Sequence, residues 1–106
     1  MNEIIENKIA TFFGALNHPT RIKILELLEK KPMMCVCEIV ASLKKEQSNI
    51  SRHLNALKIA KIVEFETKGT RTFYRIKDKT IFSILENVKS ILLKEIKEEQ
   101  KLLAKV

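Results

Sequence analysis

The most constraining feature of this sequence is a single change in the spacing of its apolar residues. Through most of the chain they recur every three or four positions, which is typical of helices packed on one face. Over residues 62–77 they alternate with polar residues instead, in two runs on either side of Gly69, which is typical of two strands joined by a tight turn. The chain is therefore predicted to be mainly α-helical with one small β-hairpin.

The helical pattern divides into four segments before the hairpin and one after it. Pro19 suits the first turn of the second helix, where its missing N–H is tolerated, and Asp78 is a good N-cap for the last. Two short helices joined by a polar connection over residues 36–60 indicate a helix-turn-helix. The sequence thus predicts one domain over residues 1–106, a winged helix-turn-helix with its wing at 62–77. The predicted helices cover residues 3–16, 19–30, 36–44, a segment ending near residue 60, and 79–104.

The last predicted helix is long for so small a domain. At 1.5 Å per residue it extends roughly 40 Å, more than the width of a globule of about 100 residues. Its apolar stripe cannot all be covered by the same chain, so we expect a homodimer in which helices 3–16 and 79–104 pack across a two-fold axis. The alternative is that the final turns fray, because residues 94–101 are mostly charged.

The chain carries a strong positive charge. Lys and Arg number 20 against 13 Asp and Glu, which gives a net charge of +7 and a pI near 9.5. Such a surplus favours polyanionic partners, either nucleic acid or an anionic membrane surface. No apolar stretch approaches the roughly 18–20 residues of a membrane span, which excludes an integral membrane protein. A membrane-surface helix remains a rival, since Lys89, Lys94 and Lys97 lie on the last helix.

Residues that enzymes need are scarce in this chain. Neither of its two glycines, Gly14 and Gly69, stands in a phosphate-binding motif. A thiol oxidoreductase using residues 35–37, Cys-Val-Cys, would need a βαβ pattern that is absent. We therefore expect a binding protein and no enzyme. Two cysteines so close together cannot staple a secreted fold, and no basic-then-apolar leader is evident, so a cytoplasmic location is expected.

Three segments match, in order and spacing, parts of one known family. Residues 16–25 read LNHPTRIKIL, residues 34–39 read MCVCEI and residues 47–54 read QSNISRHL. They resemble, respectively, the opening of the second helix, the metal-box segment and the recognition helix of the ArsR/SmtB family of winged-helix repressors. The resemblance covers about residues 9–92 and implies a DNA-binding transcriptional repressor.

The sequence departs from the family pattern at several positions. Lys61 stands where the family usually has a glycine, which would place a lysine in the left-handed region. Val40 stands where some arsenic-sensing members carry a third cysteine. The last helix has no histidine, so the zinc-type site of some relatives is not expected there. The N-terminal segment lacks the cysteines that relatives sensing cadmium or lead use.

The resemblance assigns residues 47–55 to the opening turns of a recognition helix, which read the major groove. With Ile50, Leu54 and Leu57 facing inward, polar side chains face outward. Gln and Asn suit adenine, Arg suits guanine or a phosphate, and Ser suits phosphates. The alternative is that Ser48 and Asn49 merely cap the helix. The candidate DNA-binding residues are Gln47, Ser48, Asn49, Ser51, Arg52, Asn55 and, in a supporting role, His53.

The hairpin tip is a second candidate contact with DNA. Lys68 and Arg71 supply charge on either side of Gly69 and are expected to lie along phosphates or in the minor groove, unless the turn is simply solvated. A two-fold dimer would read a pseudo-palindromic site in double-stranded DNA, with half-sites about one turn (roughly 10 bp) or a multiple apart. Its affinity is expected to fall steeply with salt.

Cys35 and Cys37 are the candidate metal site. On a regular helix their side chains diverge by about 200°, so both reach one ion only at an irregular helix start. The helix dipole and nearby lysines favour thiolates, which prefer soft ions. Two sulfurs are fewer than such ions want, so a third ligand would come from a small thiol, a second subunit, or a thioether of Met33 or Met34. The candidate effectors are As(III), Sb(III), Cd(II), Pb(II), Zn(II) and Cu(I), and no cofactor is required.

Three hypotheses about regulation follow from this pair. In the first, a thiophilic ion at Cys35 and Cys37 distorts the third helix, misplaces the recognition helix and releases DNA. In the second, the same cysteines form a redox switch through a local or intersubunit disulfide. In the third, they are ordinary buried small residues and the protein senses no small ligand.

Overall fold

The computed structural model describes all 106 residues as five helices and a small antiparallel sheet. None of the helices is both long enough and apolar enough to cross a membrane. The elements follow one another as α1 (Glu3–Ala15), α2 (Pro19–Lys30), β1 (Met34–Cys35), α3 (Val36–Leu43), α4 (Gln47–Ile59), β2 (Val63–Lys68), β3 (Arg71–Ile76) and α5 (Thr80–Ala104).

The sheet has three strands where the sequence predicts two. β2 and β3 form the expected hairpin, with Lys68 opposite Arg71 beside the turn. β1 pairs with the other edge of β3, placing Cys35 opposite Phe73, so the strand order is β1-β3-β2. A strand of two residues is too short to show an alternating pattern, which is why periodicity missed it. This strand anchors the start of α3 to the wing.

The helix ends show where local sequence acts. Pro19 occupies the first turn of α2, as predicted. The N-cap of α5 is Lys79 rather than the predicted Asp78, whose side chain accepts a hydrogen bond from the backbone N–H of Thr80 at 2.9 Å just before the helix. The C-terminal residues of α3 and α4 lead into lysines with positive φ, Lys44 (54°) and Lys61 (61°), so the left-handed lysine expected after α4 is present.

The core lies where α2, α3, α4 and the base of the sheet meet. Ile24, Leu25 and Leu28 of α2 pack with α3 and α4 residues, and β2 closes the cluster through Val63. The terminal helices contribute little to it, with Ala15 from α1 and Ile81 from α5 as their buried residues. The 25-residue α5 therefore exposes most of its apolar surface, and the molecule measures 60 × 40 × 21 Å.

Candidate nucleic-acid interface

The two faces of α4 differ sharply. Ile50, Leu54 and Leu57 are completely buried, which fixes the rotation of the helix about its axis. The opposite face carries only polar side chains along its first three turns. The exposed residues of this face, which we call the reading face, are Gln47, Ser48, Ser51, Arg52 and Asn55.

The start of α4 is free of side-chain caps. Its N-cap is Glu46, whose side chain makes no capping hydrogen bond. Ser48 and Asn49 lie inside the first turn, so the alternative that they merely cap the helix is wrong. Because the first N–H groups of a helix have no partner within it, they are available to an anion at this end.

Asn49 and His53 lie outside the reading face. Asn49 is half-buried and its Oδ1 is buried without a hydrogen-bond partner. His53 is buried, with 8% of its surface exposed, and its Nδ1 accepts a hydrogen bond from Nε of Arg21 at 3.1 Å. Arg21 also donates from Nη1 to the carbonyl oxygen of Ala15, again at 3.1 Å. The guanidinium of Arg21, a residue of α2, therefore links α4 to the end of α1.

The surroundings of His53 disfavour its charged form. Burial lowers the pKa of this imidazole below its ordinary value of 6.5, and the positive charge of Arg21 lowers it further. His18 adds to the effect, with its ring centroid 5.3 Å from that of His53. A neutral His53 keeps the lone pair that accepts the Arg21 hydrogen bond. Sequence reasoning missed Arg21, although it lies in the segment that carried the resemblance.

The wing tip presents its two cations differently. Gly69 adopts a φ of +62°, which lets the chain turn in two residues between the strands. Nζ of Lys68 lies 3.9 Å from Oε1 of Glu66 and over the ring of Phe73. Arg71 is exposed and takes part in none of the ion pairs. Of the two predicted wing contacts, Arg71 is therefore the freer one.

Away from the tip, the wing neutralises its own charge. Arg75 donates from Nε to Glu64 at 3.0 Å and from Nη1 to Glu66 at 3.1 Å. These carboxylates raise the pKa of Arg75, with the Glu64 hydrogen bond as the main cause. Of the three basic side chains of β2 and β3, Arg71 at the tip is thus the one that forms no ion pair.

The two cysteines are joined by a disulfide between positions 35 and 37. Cys35 is buried in β1 and is also the N-cap of α3, where its Sγ accepts a hydrogen bond from the backbone N–H of Glu38 at 3.3 Å. Cys37, inside the first turn, is exposed. The predicted irregular helix start is this junction of β1 and α3.

Glu38 completes the junction. Its Oε1 accepts a hydrogen bond from the backbone N–H of Cys35 at 3.2 Å, and its other carboxylate oxygen pairs with Lys31. The Lys31 hydrogen bond is the largest of the causes that lower the pKa of Glu38. A cavity of about 180 Å³ adjoins the disulfide and is also lined by Gln47 and by Arg71. The cysteine pair therefore lies between the two candidate DNA contacts.

No group of three or more His, Cys, Asp or Glu side chains is placed to hold a metal ion. Of the two methionines suggested as a third ligand, Met34 is buried in the core and Met33 is half-buried. The thioether of Met34 is thus committed to packing. A third ligand for a thiophilic ion would have to come from outside the chain.

Comparison with known proteins identifies the family. Residues 18–64 match the family described as "Bacterial regulatory protein, arsR family". The chain is 47% identical to the HTH-type transcriptional regulator MJ1325 of Methanocaldococcus jannaschii over 81 residues, which span 76% of this chain and 91% of that one. The protein belongs to the ArsR family.

Solved structures of other proteins share the fold. Rv0081 of Mycobacterium tuberculosis superposes with a TM-score of 0.80 at 30% identity, covering 93% of this chain and 98% of that one. The winged helix-turn-helix domain of Mb0332 from Mycobacterium bovis, described as homodimeric, gives a TM-score of 0.79 at 24% identity, covering 92% and 93% of the two chains. The predicted fold class is confirmed, and this ArsR-family chain is a DNA-binding transcriptional regulator, not an enzyme.

Proposed function

We propose that this protein is a homodimeric repressor that acts on DNA in the cytoplasm and reads a pseudo-palindromic site in the double helix. The reading face of α4 carries the proposal. Its exposed side chains are all polar, one is a cation, and the opposite face is completely buried. A helix anchored in this way offers its hydrogen-bonding groups to base edges in the major groove.

The terminal helices support the homodimer. α1 exposes Ile5, Ile9 and Phe13, and α5 exposes a longer series that includes Val88 and Ile91. Apolar surface on this scale destabilises an isolated chain in water, and a two-fold symmetric partner would cover it. The homodimeric domain of Mycobacterium bovis has the same fold.

The DNA-binding proposal is tested by selecting duplexes from a random pool and titrating the selected sequence. We expect a symmetric consensus, with affinity that falls steeply as salt rises because bound phosphates release counterions. Arg52→Gln is expected to weaken binding by about 1–3 kcal/mol and to relax the preference at one base position. Lys23→Gln, an exposed cation of α2, is the matched control.

A selection that yields no consensus, or an equal loss from both variants, would contradict this function. Arg71→Gln gives a separate reading of the wing. If Arg71 contacts only phosphate, the variant weakens binding to all sequences alike and lowers the salt dependence by about one counterion.

We propose that the thiol state of Cys35 and Cys37 controls DNA affinity. Cys35 pairs with Phe73 in the wing, and both cysteines line the cavity that Gln47 and Arg71 also line. Breaking the disulfide removes the constraint that it places on the backbone of residues 35–37, where β1 passes into α3. Because α3 packs on α4, the reading face and the wing would then be less rigidly held relative to each other.

Binding of a thiophilic ion is the second candidate for control of this site, and the paired sulfurs favour it. When reduced, Cys35 and Cys37 offer two soft ligands at a helix N-terminus, which favours their thiolate forms. As(III), Sb(III), Cd(II), Pb(II), Zn(II) or Cu(I) would take its remaining ligands from a small thiol or a second subunit.

One set of titrations separates the two candidates. DNA affinity is measured for the wild type and for the double variant Cys35→Ser/Cys37→Ser, in the oxidised form, in the reduced form, and in the reduced form with arsenite. Thiol control is supported if DNA affinity differs between the oxidised and reduced forms of the wild type and does not differ in the double variant. A drop caused by arsenite only in the reduced wild type supports the ion. No difference between the two proteins in any arm would refute both.

A further inference from the structure

The two sulfurs of the disulfide differ in access. Cys35 exposes only 2% of its surface, whereas Cys37 is exposed on the first turn of α3. Thiol–disulfide exchange requires the incoming thiolate to reach the sulfur it attacks. Access therefore favours attack at Sγ of Cys37, with Cys35 as the leaving group.

The backbone also favours Cys35 as the leaving group. Its Sγ already accepts the N–H of Glu38 at 3.3 Å, at the N-terminus of α3. Hydrogen bonding and the helix dipole both stabilise a thiolate at this position, and a stabilised thiolate leaves faster. Exchange is thereby directed towards one product, an adduct on Cys37 with a thiolate on Cys35.

The adjoining cavity sets the kind of thiol. Its volume of about 180 Å³ is below the roughly 300–1,000 Å³ of sites that hold drug-sized ligands, so it suits a small molecule. Arg71 lines it and forms no ion pair within the chain. A carboxylate or sulfonate is the group that a free guanidinium binds best.

We propose that Cys37 is an S-thiolation site for a small thiol that carries a negative charge. The thiolate RS⁻ attacks Sγ of Cys37, the Cys35–Cys37 bond breaks, and its electron pair leaves on Sγ of Cys35. One disulfide is consumed and one is formed, RS–S–Cys37, so no external oxidant or reductant is needed. The inference rests on the proposed DNA-binding function for its consequence: the adduct occupies the cavity beside Gln47 and places negative charge where DNA phosphates would lie.

The first experiment treats oxidised protein with 3-mercaptopropionate or with cysteamine, quenches with acid and maps the adduct by mass spectrometry. Each probe is compared across wild type, Arg71→Gln and Arg75→Gln. We expect the adduct on Cys37. Arg71→Gln is expected to slow adduct formation by the anionic 3-mercaptopropionate about tenfold, because a local positive charge is lost. The rate with the cationic cysteamine should be unchanged or higher. Arg75→Gln, the same substitution elsewhere on β3, is expected to change neither rate.

Single-cysteine variants guard against loss of the adduct by re-attack from Cys35. Cys35→Ser keeps a good N-cap and leaves Cys37 alone, whereas Cys37→Ser leaves the buried cysteine. With 3,3′-dithiodipropionate, Cys35→Ser is expected to form the adduct at least tenfold faster than Cys37→Ser does. Three outcomes would each overturn the proposal. They are an adduct mapped to Cys35, equal rates in the two single-cysteine variants, and an unchanged rate for the anionic probe in Arg71→Gln.

DNA titration then separates this inference from the function on which it rests. The oxidised, unmodified protein and the Cys37 adduct are titrated with the selected duplex, and the adduct is expected to bind at least tenfold more weakly because of its like charge. If the two bind equally, regulation by thiolation fails while the repressor stands. If the unmodified protein binds no duplex selectively, the proposed function itself fails.

Discussion

Two regions of the molecule differ in how they bury their apolar side chains. One region runs from α2 through the wing, and the other is the pair formed by α1 and α5. Of fourteen buried residues, all but Ala15 and Ile81 lie between Ile24 and Val63. The terminal helices instead hold most of the exposed large apolar side chains. One region is complete within a single chain, and the other has the composition of a core without the partner that would bury it. The sequence therefore encodes a helix-turn-helix region that is complete in one chain and, separately, an apolar surface that the proposed homodimer would cover.

Leu54→Ala should break this comparison with the largest effect. Leu54 is completely buried beneath the reading face, so the truncation leaves a cavity and is expected to cost about 3–5 kcal/mol of unfolding free energy. Leu102→Ala, a matched truncation on the exposed end of α5, should cost less than about 0.5 kcal/mol. Denaturant unfolding measures both costs at a protein concentration below the dimer dissociation constant, where α5 has no partner. Similar costs at the two positions would show that the two regions are not built differently.

Ile91→Glu tests the other region. Ile91 is exposed on α5 in the free chain, and a carboxylate there would be buried without a partner in a dimer. We expect the dimer dissociation constant to rise a hundredfold or more, about 3 kcal/mol, while the monomer keeps its fold. Sedimentation velocity measures the dissociation constant, and circular dichroism follows the fold. Ser90→Glu, one position along, is the control and should leave the dimer intact. An unchanged dimer dissociation constant for Ile91→Glu would show that this face of α5 is not the interface.

The contact between His53 and Arg21 sharpens the comparison, because it ties the helix-turn-helix region to the end of α1. The pKa of His53 is lowered in the folded state, so the unfolded chain binds more protons as pH falls below about 6.5. Stability is therefore fully present above that pH and declines as pH falls through the lowered pKa. The groups that face His53 are Arg21, His18, Arg52 and Lys45, which are all basic.

His53→Gln removes this titration while keeping a side chain that accepts from Arg21. Unfolding free energies measured from pH 7.5 to 5.0 should fall more for the wild type than for the variant. The carboxyls of Glu38 and Asp78, whose pKa values are lowered, are present in both proteins, so the difference between the two profiles reports His53. Parallel profiles for the two proteins would show that His53 does not carry the dependence.

The sequence predicted the features that depend on local periodicity. The helices, the hairpin and the buried stripe of α4 repeat over enough residues to leave a pattern. β1 has two residues and no pattern, and the Arg21–His53 hydrogen bond joins positions 32 apart, which spacing cannot reveal. The cysteine pair was visible as a candidate, but its position between Gln47 and Arg71 follows from strand pairing that only the fold defines.

The smallest effect on stability is expected at Lys61, which lies in the connection between α4 and β2. Its φ of 61° lies in the left-handed region, where a side chain is strained. The backbone around it closes α4, with the N–H of Ile62 donating to the carbonyl of Leu57 at 3.0 Å. Lys61→Gly is expected to stabilise the fold by about 0.5–1 kcal/mol, the strain relieved less the entropy that glycine adds to the unfolded chain.

Lys23→Gly, in the interior of α2, is the matched control and should destabilise by about 1 kcal/mol, because there glycine only loses helix propensity. Opposite signs at the two lysines would show that the strain at Lys61 is real and confined to this connection. A loss at both positions would mean that the lysine side chain contributes more there than its backbone costs. Lys61 would then stabilise the connection between α4 and β2.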